Sequence, residues 1–130
     1  MKKLFVSVPM KDRTAEEIRA SILKMHRIAE AYEGEELELI DSYVLEDPPM
    51  NYNRSVWYLS KSIEKLAEAD VFIGISDLNG WPGCKIESDI AKAYNIKSYS
   101  VDSSIVVDYG PIVQRALLNA TYQIVSEERN

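Results

Sequence analysis

The chain has 130 residues, 46% of them hydrophobic and 28% charged, with a formal net charge of −6 and an isoelectric point near 4.8. This length predicts one domain over residues 1–130 with a sizeable core, and the acidic charge argues against a nucleic-acid polymer as partner, because such binding needs clustered Lys and Arg. A single cysteine, Cys84, and a single histidine, His26, exclude an internal disulfide and a Cys/His zinc site.

The sequence also indicates the cellular compartment of the protein. The segment MKKLFVSVPM has two lysines, but its apolar run is too short for a signal peptide, and no segment approaches the length of a membrane span. We therefore expect a cytoplasmic protein without a membrane partner and without a structural metal.

The first predicted elements are a strand and a helix. Leu4 to Val8 is a short apolar run typical of a strand, and Thr14 with Glu17 forms a capping box that starts a helix. The apolar residues of this helix recur at the spacing of one helical face, at Ile18, Ile22, Met25, Ala29 and Tyr32.

A second strand and helix follow with the same alternation. Leu37 to Ile40 predicts a short strand, and Ser55 to Glu68 predicts a helix. Glu46 to Asn53, between them, is predicted to be a loop. The apolar positions of the second helix keep helical spacing, at Val56, Leu59, Ile63, Leu66 and Ala67.

The third strand is the most continuously apolar part of the chain. Val71 to Ile75 is rich in β-branched residues, which suits a strand covered on both faces, as in a parallel sheet. Ser76 to Pro82 contains the turn-forming residues Asp, Asn, Gly and Pro, and Gly83 opens a helix that carries Glu87.

The last predicted elements complete an α/β fold. Residues 98–101 predict a fourth strand, residues 111–118 predict a helix that begins with Pro111, and residues 121–125 predict a fifth strand. Strands that alternate with helices predict a parallel sheet with right-handed crossovers and helices on both faces. We therefore predict a Rossmann-like or flavodoxin-like domain with five strands in the order 2-1-3-4-5.

Glu87 is the candidate functional residue that this topology selects. In an open parallel sheet the ligand crevice lies outside the carboxyl ends of the strands, where this helix begins. Glu87 shares one side of the helix with Ile90, Ala91 and Tyr94. One interpretation is a partly desolvated carboxylate that acts as a nucleophile or base, and the other is an acidic residue that only complements the helix dipole.

Two loops are predicted to meet beside Glu87, because the first and third strands are neighbours at the switch point of such a sheet. These loops are Pro9 to Thr14 and Ser76 to Glu87, and Tyr43 is predicted to join them. The Pro9 to Thr14 loop has two interpretations. In the first, Lys11 and Arg13 hold a phosphate at the helix N-terminus. In the second, the loop is solvated and only caps the helix.

Three parts of the sequence carry a resemblance. FVSVPM spans the first strand and its turn, DSYVLEDPP covers Asp41 to Pro49, and ADVFIGI is followed by GCKIESDIAKAY. Together they resemble the nucleoside 2-deoxyribosyltransferase family, including its nucleotide N-glycosidase relatives and small phage-type members. In that family a glycine stands four residues before the nucleophilic glutamate and an alanine four residues after it, which here are Gly83, Glu87 and Ala91.

The resemblance implies substitution at the anomeric carbon of a nucleoside or 5′-nucleotide. A carboxylate attacks as the base leaves, and a nearby negative charge stabilises the oxocarbenium-like transition state. By analogy Glu87 is the nucleophile, and the reaction needs neither a metal nor an organic cofactor. The candidate substrate-binding residues around it are Ser7, Pro9, Met10, Lys11, Arg13, Tyr43, Ser62, Asp77, Asn79, Trp81 and Gly83.

Three positions depart from the family pattern. Ser62 replaces an aspartate that helps to handle the departing base, and Trp81 replaces an aspartate that helps the deoxyribosyltransferases to hold the sugar. An asparagine that follows a DYG-type sequence is replaced by Ile112 and Val113. Each lost charge-assisted hydrogen bond is worth about 1.5–3 kcal/mol.

Other residues near Glu87 allow two interpretations each. Asp77 and Asn79 compensate for the missing carboxylates, or they are turn residues whose side chains bond to their own backbone. Trp81 stacks on a base, or it covers the loop in a subunit contact. Cys84 has no histidine partner predicted and is expected to have a packing role.

The sequence therefore supports two main functional hypotheses. The first is an N-glycosidase or deoxyribosyltransferase-like enzyme acting on a small nucleoside or 5′-nucleotide. The second is a non-catalytic protein of the same fold, such as a phage-encoded one, that binds or sequesters a nucleotide. An interaction module with a vestigial pocket is a third. The family commonly completes its pocket with a neighbouring chain, so a homo-oligomer is expected, and Trp57, Tyr58 and Trp81 offer aromatic contacts for it.

Overall fold

A computed structural model describes residues 1–42 and 44–106 as an α/β unit. The elements run in the order β1 (Lys3–Val6), α1 (Ala15–Glu33), β2 (Glu38–Leu39), α2 (Arg54–Leu66), β3 (Val71–Ile75), α3 (Pro82–Ala93) and β4 (Lys97–Val101), followed by a short 3-10 turn at Ser103–Ile105. The predicted helix at 111–118, the predicted strand at 121–125 and Tyr43 lie outside the described residues.

The four described strands form one parallel sheet in the order β2-β1-β3-β4. Leu4 of β1 is paired with Val71 of β3 on one side and with Leu39 of β2 on the other. This arrangement confirms a parallel α/β sheet of the flavodoxin-like kind, with β1 and β3 adjacent at its centre. The fifth strand of the predicted order falls on residues outside the described part of the chain.

The sheet is covered by helices on both faces, as predicted. Along β1 the side chains alternate, so Leu4 and Val6 pack with Met25 and Ile28 of α1 on one face. On the other face a second core cluster contains Phe5 of β1, Leu66 of α2, Phe72 of β3 and Ala91 of α3. The rings of Phe5 and Phe72 are stacked, with centroids 6.0 Å apart.

Local signals explain where the helices begin and end. Thr14 and Glu17 make the predicted capping box of α1, and Gly34 ends that helix with a left-handed backbone, at φ 75°. α2 begins at Arg54, one residue before the prediction, because the Asn53 side chain accepts a hydrogen bond from the Val56 amide.

Several predicted boundaries are wrong by one or two residues. β1 ends at Val6 and not at Val8, although the Ser7 amide still donates to the Ile73 carbonyl oxygen at 2.9 Å. β2 is limited to Glu38–Leu39, because the Leu37 amide donates to the Glu30 carboxylate and not to the sheet. α2 ends at Leu66 and not at Glu68.

Glu33 is the centre of an ion cluster where α1 ends. Its side chain is only 2% exposed, and it accepts hydrogen bonds from Lys2 Nζ at 3.3 Å and from the Tyr99 hydroxyl at 2.7 Å. Lys97 Nζ lies 2.8 Å from Glu33 Oε1. Hydrogen bonds from Lys97 and Tyr99 outweigh the effect of burial and lower the pKa of Glu33 to about 2.

Replacing this carboxylate is expected to destabilise the fold. Glu33→Gln should lower the free energy of unfolding at neutral pH by about 1–3 kcal/mol, because hydrogen bonds between a buried carboxylate and cationic donors are lost. The folded-state pKa is depressed, so this contribution is present above about pH 4.5 and disappears as the pH falls toward about 2. Urea unfolding from neutral to acidic pH measures both effects.

The matched control is Glu35→Gln, which removes an exposed partner of the same Lys2 ammonium, 3.6 Å away. Its effect on the free energy of unfolding is expected to stay below about 0.5 kcal/mol. Equal losses in the two variants would contradict the role given to Glu33.

Candidate functional site

The site is built where β1 ends and the second turn of α3 begins. Ser7 directly follows β1, and its hydroxyl donates a hydrogen bond to Glu87 Oε1 at 2.7 Å, across 80 positions of sequence. Ser7 is 2% exposed and Glu87 is 7% exposed. The residue after β1 and the helix α3 thus meet at these two side chains.

Glu87 is buried among neutral partners. Desolvation by burial raises its pKa, and hydrogen bonds from Ser7 and from Ser62 of α2 act in the opposite direction without cancelling it. A carboxyl whose pKa is raised by desolvation, at the carboxyl end of parallel strands, is a candidate for nucleophilic or acid–base chemistry. Glu87 is the sixth residue of α3 and lies beyond its first turn, which contains no acidic residue, so the helix dipole does not account for it.

The helical face of Glu87 is less apolar than the sequence predicted. Ala91, one turn later, is fully buried, and Ile90 packs at the edge of the same cluster. Tyr94, however, is 76% exposed, so its predicted place on the buried side is wrong. α3 ends at Ala93, and Tyr94 is its C-cap with a non-helical backbone, which turns that side chain away from the sheet.

Cys84 lies one turn before Glu87 and is buried. Burial raises the pKa of its thiol to about 11, and the neighbouring Glu87 charge acts in the same direction, while a hydrogen bond with Ser7 opposes them. The thiol therefore stays protonated at neutral pH, which argues against a thiolate nucleophile and agrees with a packing role.

Gly83 leaves open space one helical turn before Glu87. Apart from its two chain neighbours and the backbone of α3 itself, no heavy atom of the described residues lies within 4 Å of the place where a Cβ at Gly83 would stand. The loop before it is anchored, because Trp81 and Leu78 pack against the α1-side core. Trp81 thus packs partly against the core, a role that neither the base-stacking nor the subunit-contact interpretation included.

Asp77 ties two loops together at this end of the sheet. Its carboxylate accepts one hydrogen bond from the Ser103 amide at 2.8 Å and another from the Ser103 hydroxyl. These bonds lower the pKa of Asp77, so it stays ionised. Asp77 therefore joins the loop after β3 to the loop after β4, whereas Asn79 stands exposed in the first of these loops.

Arg13 is engaged by the protein itself. Its guanidinium donates to the Pro9 and Val106 carbonyl oxygens at 2.9 and 3.0 Å and to the Ser21 hydroxyl at 2.6 Å. These bonds hold the loop after β1 against α1 and against the segment after β4. Lys11 and Met10 are exposed beside it.

The candidate residues thus fall into separate groups. Ser7, Ser62, Gly83 and Glu87 come together at α3. Arg13 and Pro9 are joined to each other on the α1 side, and Asp77 is joined to Ser103. The sequence reasoning did not include Ser103 or Val106, since both are distant in the chain from the residues they contact, and no local pattern marks them.

A concave feature away from Glu87 lies between α1 and the segment that includes β2. This cleft has a volume of about 330 Å³, and its wall is mainly apolar. The sequence reasoning did not identify it. It is lined by Arg19, Ile22, Leu23, Leu39, Asp41 and Leu45.

Comparisons with known proteins complete this description. No family model, no curated protein and no solved structure matched the chain. In residues 1–42 and 44–106, no group of three or more His, Cys, Asp or Glu side chains is arranged to hold a metal ion. The helices α1 to α3 of the described chain are each too short or too polar to cross a membrane.

Two glycine substitutions test the packing around the site. Gly74→Ala should lower the free energy of unfolding by about 1–3 kcal/mol, because the new Cβ would stand 2.9 Å from Phe72 Cε1, and that ring is buried against Phe5. Gly83→Ala should be neutral or stabilising by up to about 1 kcal/mol, since alanine favours a helix and the space is open. Thermal and urea unfolding of both variants measure the difference, and destabilisation by Gly83→Ala would show that the space is filled.

Proposed function

We propose that this protein cleaves, or transfers a sugar at, the N-glycosidic bond of a small nucleoside or 5′-nucleotide, with Glu87 as the nucleophile. The observation that carries the proposal is a buried carboxylate at the carboxyl end of β1, held by Ser7 and next to the open space at Gly83. The resemblance to the nucleoside 2-deoxyribosyltransferase family, based on the same Gly83, Glu87 and Ala91, supports it.

The reaction follows from the chemistry of a carboxylate. Glu87 forms a bond to the anomeric carbon while the bond from that carbon to the base nitrogen breaks, and the electron pair leaves with the base, which takes a proton from solvent. Water then attacks the anomeric carbon, the ester bond to Glu87 breaks, and a proton is released. An acceptor base in place of water gives transfer.

The surroundings of Glu87 affect both steps. Because burial raises the pKa of Glu87, the ionised form that attacks becomes abundant at a higher pH than for an ordinary glutamate. Ser62 provides a neutral hydroxyl where the family has an aspartate, so the departing base receives less charge stabilisation. Slow turnover is therefore expected.

The same observations favour a second candidate function, a non-catalytic protein that binds or sequesters a nucleotide. The described partners of Glu87 are hydroxyl groups, and a carboxyl with a raised pKa can remain protonated and donate a hydrogen bond to a ligand. In this case binding, and not turnover, depends on Glu87.

Glu87→Gln separates the two functions. If the enzyme proposal is right, the variant loses base release by roughly a thousandfold or more, because the amide cannot form the glycosyl ester. Chromatography of free base from a panel of nucleosides, 5′-nucleotides and cyclic nucleotides, with and without an acceptor base, measures this. The wild-type rate should rise with pH as Glu87 ionises.

Asp89→Asn is the matched control on the same helix. Asp89 is exposed and is paired with Lys85 at 2.8 Å, so its replacement should leave base release within about twofold. Unchanged release in Glu87→Gln would refute the nucleophile assignment. No release by the wild type, together with one unmodified nucleotide retained after desalting, would instead support the binding protein.

We also propose that the chain forms a homo-oligomer in the cytoplasm. The segment before α2 and the start of α2 expose large apolar side chains at Leu45, Met50, Tyr52 and Val56. So many exposed apolar side chains in one segment are uncommon on the surface of a monomer. Sedimentation at micromolar concentration is expected to give a mass of at least two chains. A monomer mass under these conditions would contradict this proposal.

A further inference from the structure

We infer that Ser7 is a positioning residue for Glu87 and not a substrate ligand: its hydroxyl fixes Oε1 and so orients the carboxylate that attacks. The inference rests on the proposed function for its catalytic consequence. The geometry that carries it is the 2.7 Å hydrogen bond from the Ser7 hydroxyl to Glu87 Oε1, between two side chains that are both more than nine-tenths buried.

Ser7 itself is held at its backbone and at its hydroxyl. Its amide donates to the Ile73 carbonyl oxygen at 2.9 Å, which continues the pairing of β1 with β3. The Ser7 hydroxyl donates its one proton to Glu87, and the residue is only 2% exposed, so it is not open to a sugar hydroxyl.

The same bond favours the ionised carboxylate. Desolvation raises the pKa of Glu87, and the Ser7 hydrogen bond opposes that change by stabilising the charged form. The titratable group that faces Glu87 within the described residues is the Cys84 thiol, which stays protonated at neutral pH, and the other neighbour is the Ser62 hydroxyl. Of the two hydroxyls that favour the charged form of Glu87, Ser7 has the larger effect.

Ser7→Ala is the test, with Ser98→Ala as the matched control. Ser98 is opposite Phe72 in the sheet, and its hydroxyl donates to the Ile96 carbonyl oxygen, so its removal costs a comparable bond away from Glu87. Side-chain carboxyl NMR of glutamate-labelled protein follows the titration of Glu87, identified by its absence in Glu87→Gln. Base-release rates are measured over the same pH range.

Ser7→Ala should shift the Glu87 titration to higher pH, and the rising limb of the rate profile should move with it. At saturating substrate and high pH, kcat should still fall about tenfold or more with KM within about threefold, because orientation is lost while substrate contacts remain. Ser98→Ala should leave the titration and the rate profile where they are in the wild type.

An unchanged Glu87 titration in Ser7→Ala would overturn the inference, as would a large rise in KM with kcat preserved. The titration distinguishes this failure from a failure of the proposed function. If the wild type releases no base, the proposed function fails, and a shifted titration still supports Ser7 as the residue that holds and ionises the Glu87 carboxylate.

Discussion

The alternation of side chains along β1 is the constraint on which the rest of the structure depends. Leu4 and Val6 face α1, while Phe5 and Ser7 face α3, because successive residues of a strand point to opposite faces. The apolar positions hold the helices on the sheet. On the α3 side, Phe5 is followed at the carboxyl end by Ser7. The Ser7 hydroxyl is therefore a polar group beneath α3, and it donates a hydrogen bond to Glu87.

Two glutamates have buried side chains, and their pKa values are shifted in opposite directions. Glu33 meets two ammonium groups and a phenol, so its pKa falls to about 2 and it remains charged as a structural group. Glu87 meets hydroxyls from Ser7 and Ser62, and its pKa rises. Burying a carboxylate without a cation has a cost in folding free energy. A fold that keeps such a group gains a carboxyl that holds its proton to a higher pH than an ordinary glutamate, which is the reason to assign function to Glu87.

The sequence was sufficient to predict the order of the elements in the described chain, the parallel sheet and the place of Glu87 at its carboxyl end, whereas burial of Glu87 was one of two interpretations. These depend on local patterns: apolar runs, the Thr14 capping box and the position of a helix after a strand. It was not sufficient for contacts that join distant loops, such as Arg13 with Val106 or Asp77 with Ser103, because hydrogen bonds between loops leave no periodic signal. Tyr94 was misplaced because helical spacing was extended one residue beyond the end of α3.

The Glu33 cluster has a consequence for the rate of unfolding. It joins residue 2, the last turn of α1 and β4, with sequence separations of 31 and 66 residues for the bonds from Lys2 and Tyr99. Closing the chain between such distant parts costs conformational entropy, so we expect these contacts to form late on the folding pathway. Interactions that are absent from the transition state slow unfolding with little effect on folding. The cluster is therefore expected to slow the opening of the end of the sheet opposite Glu87.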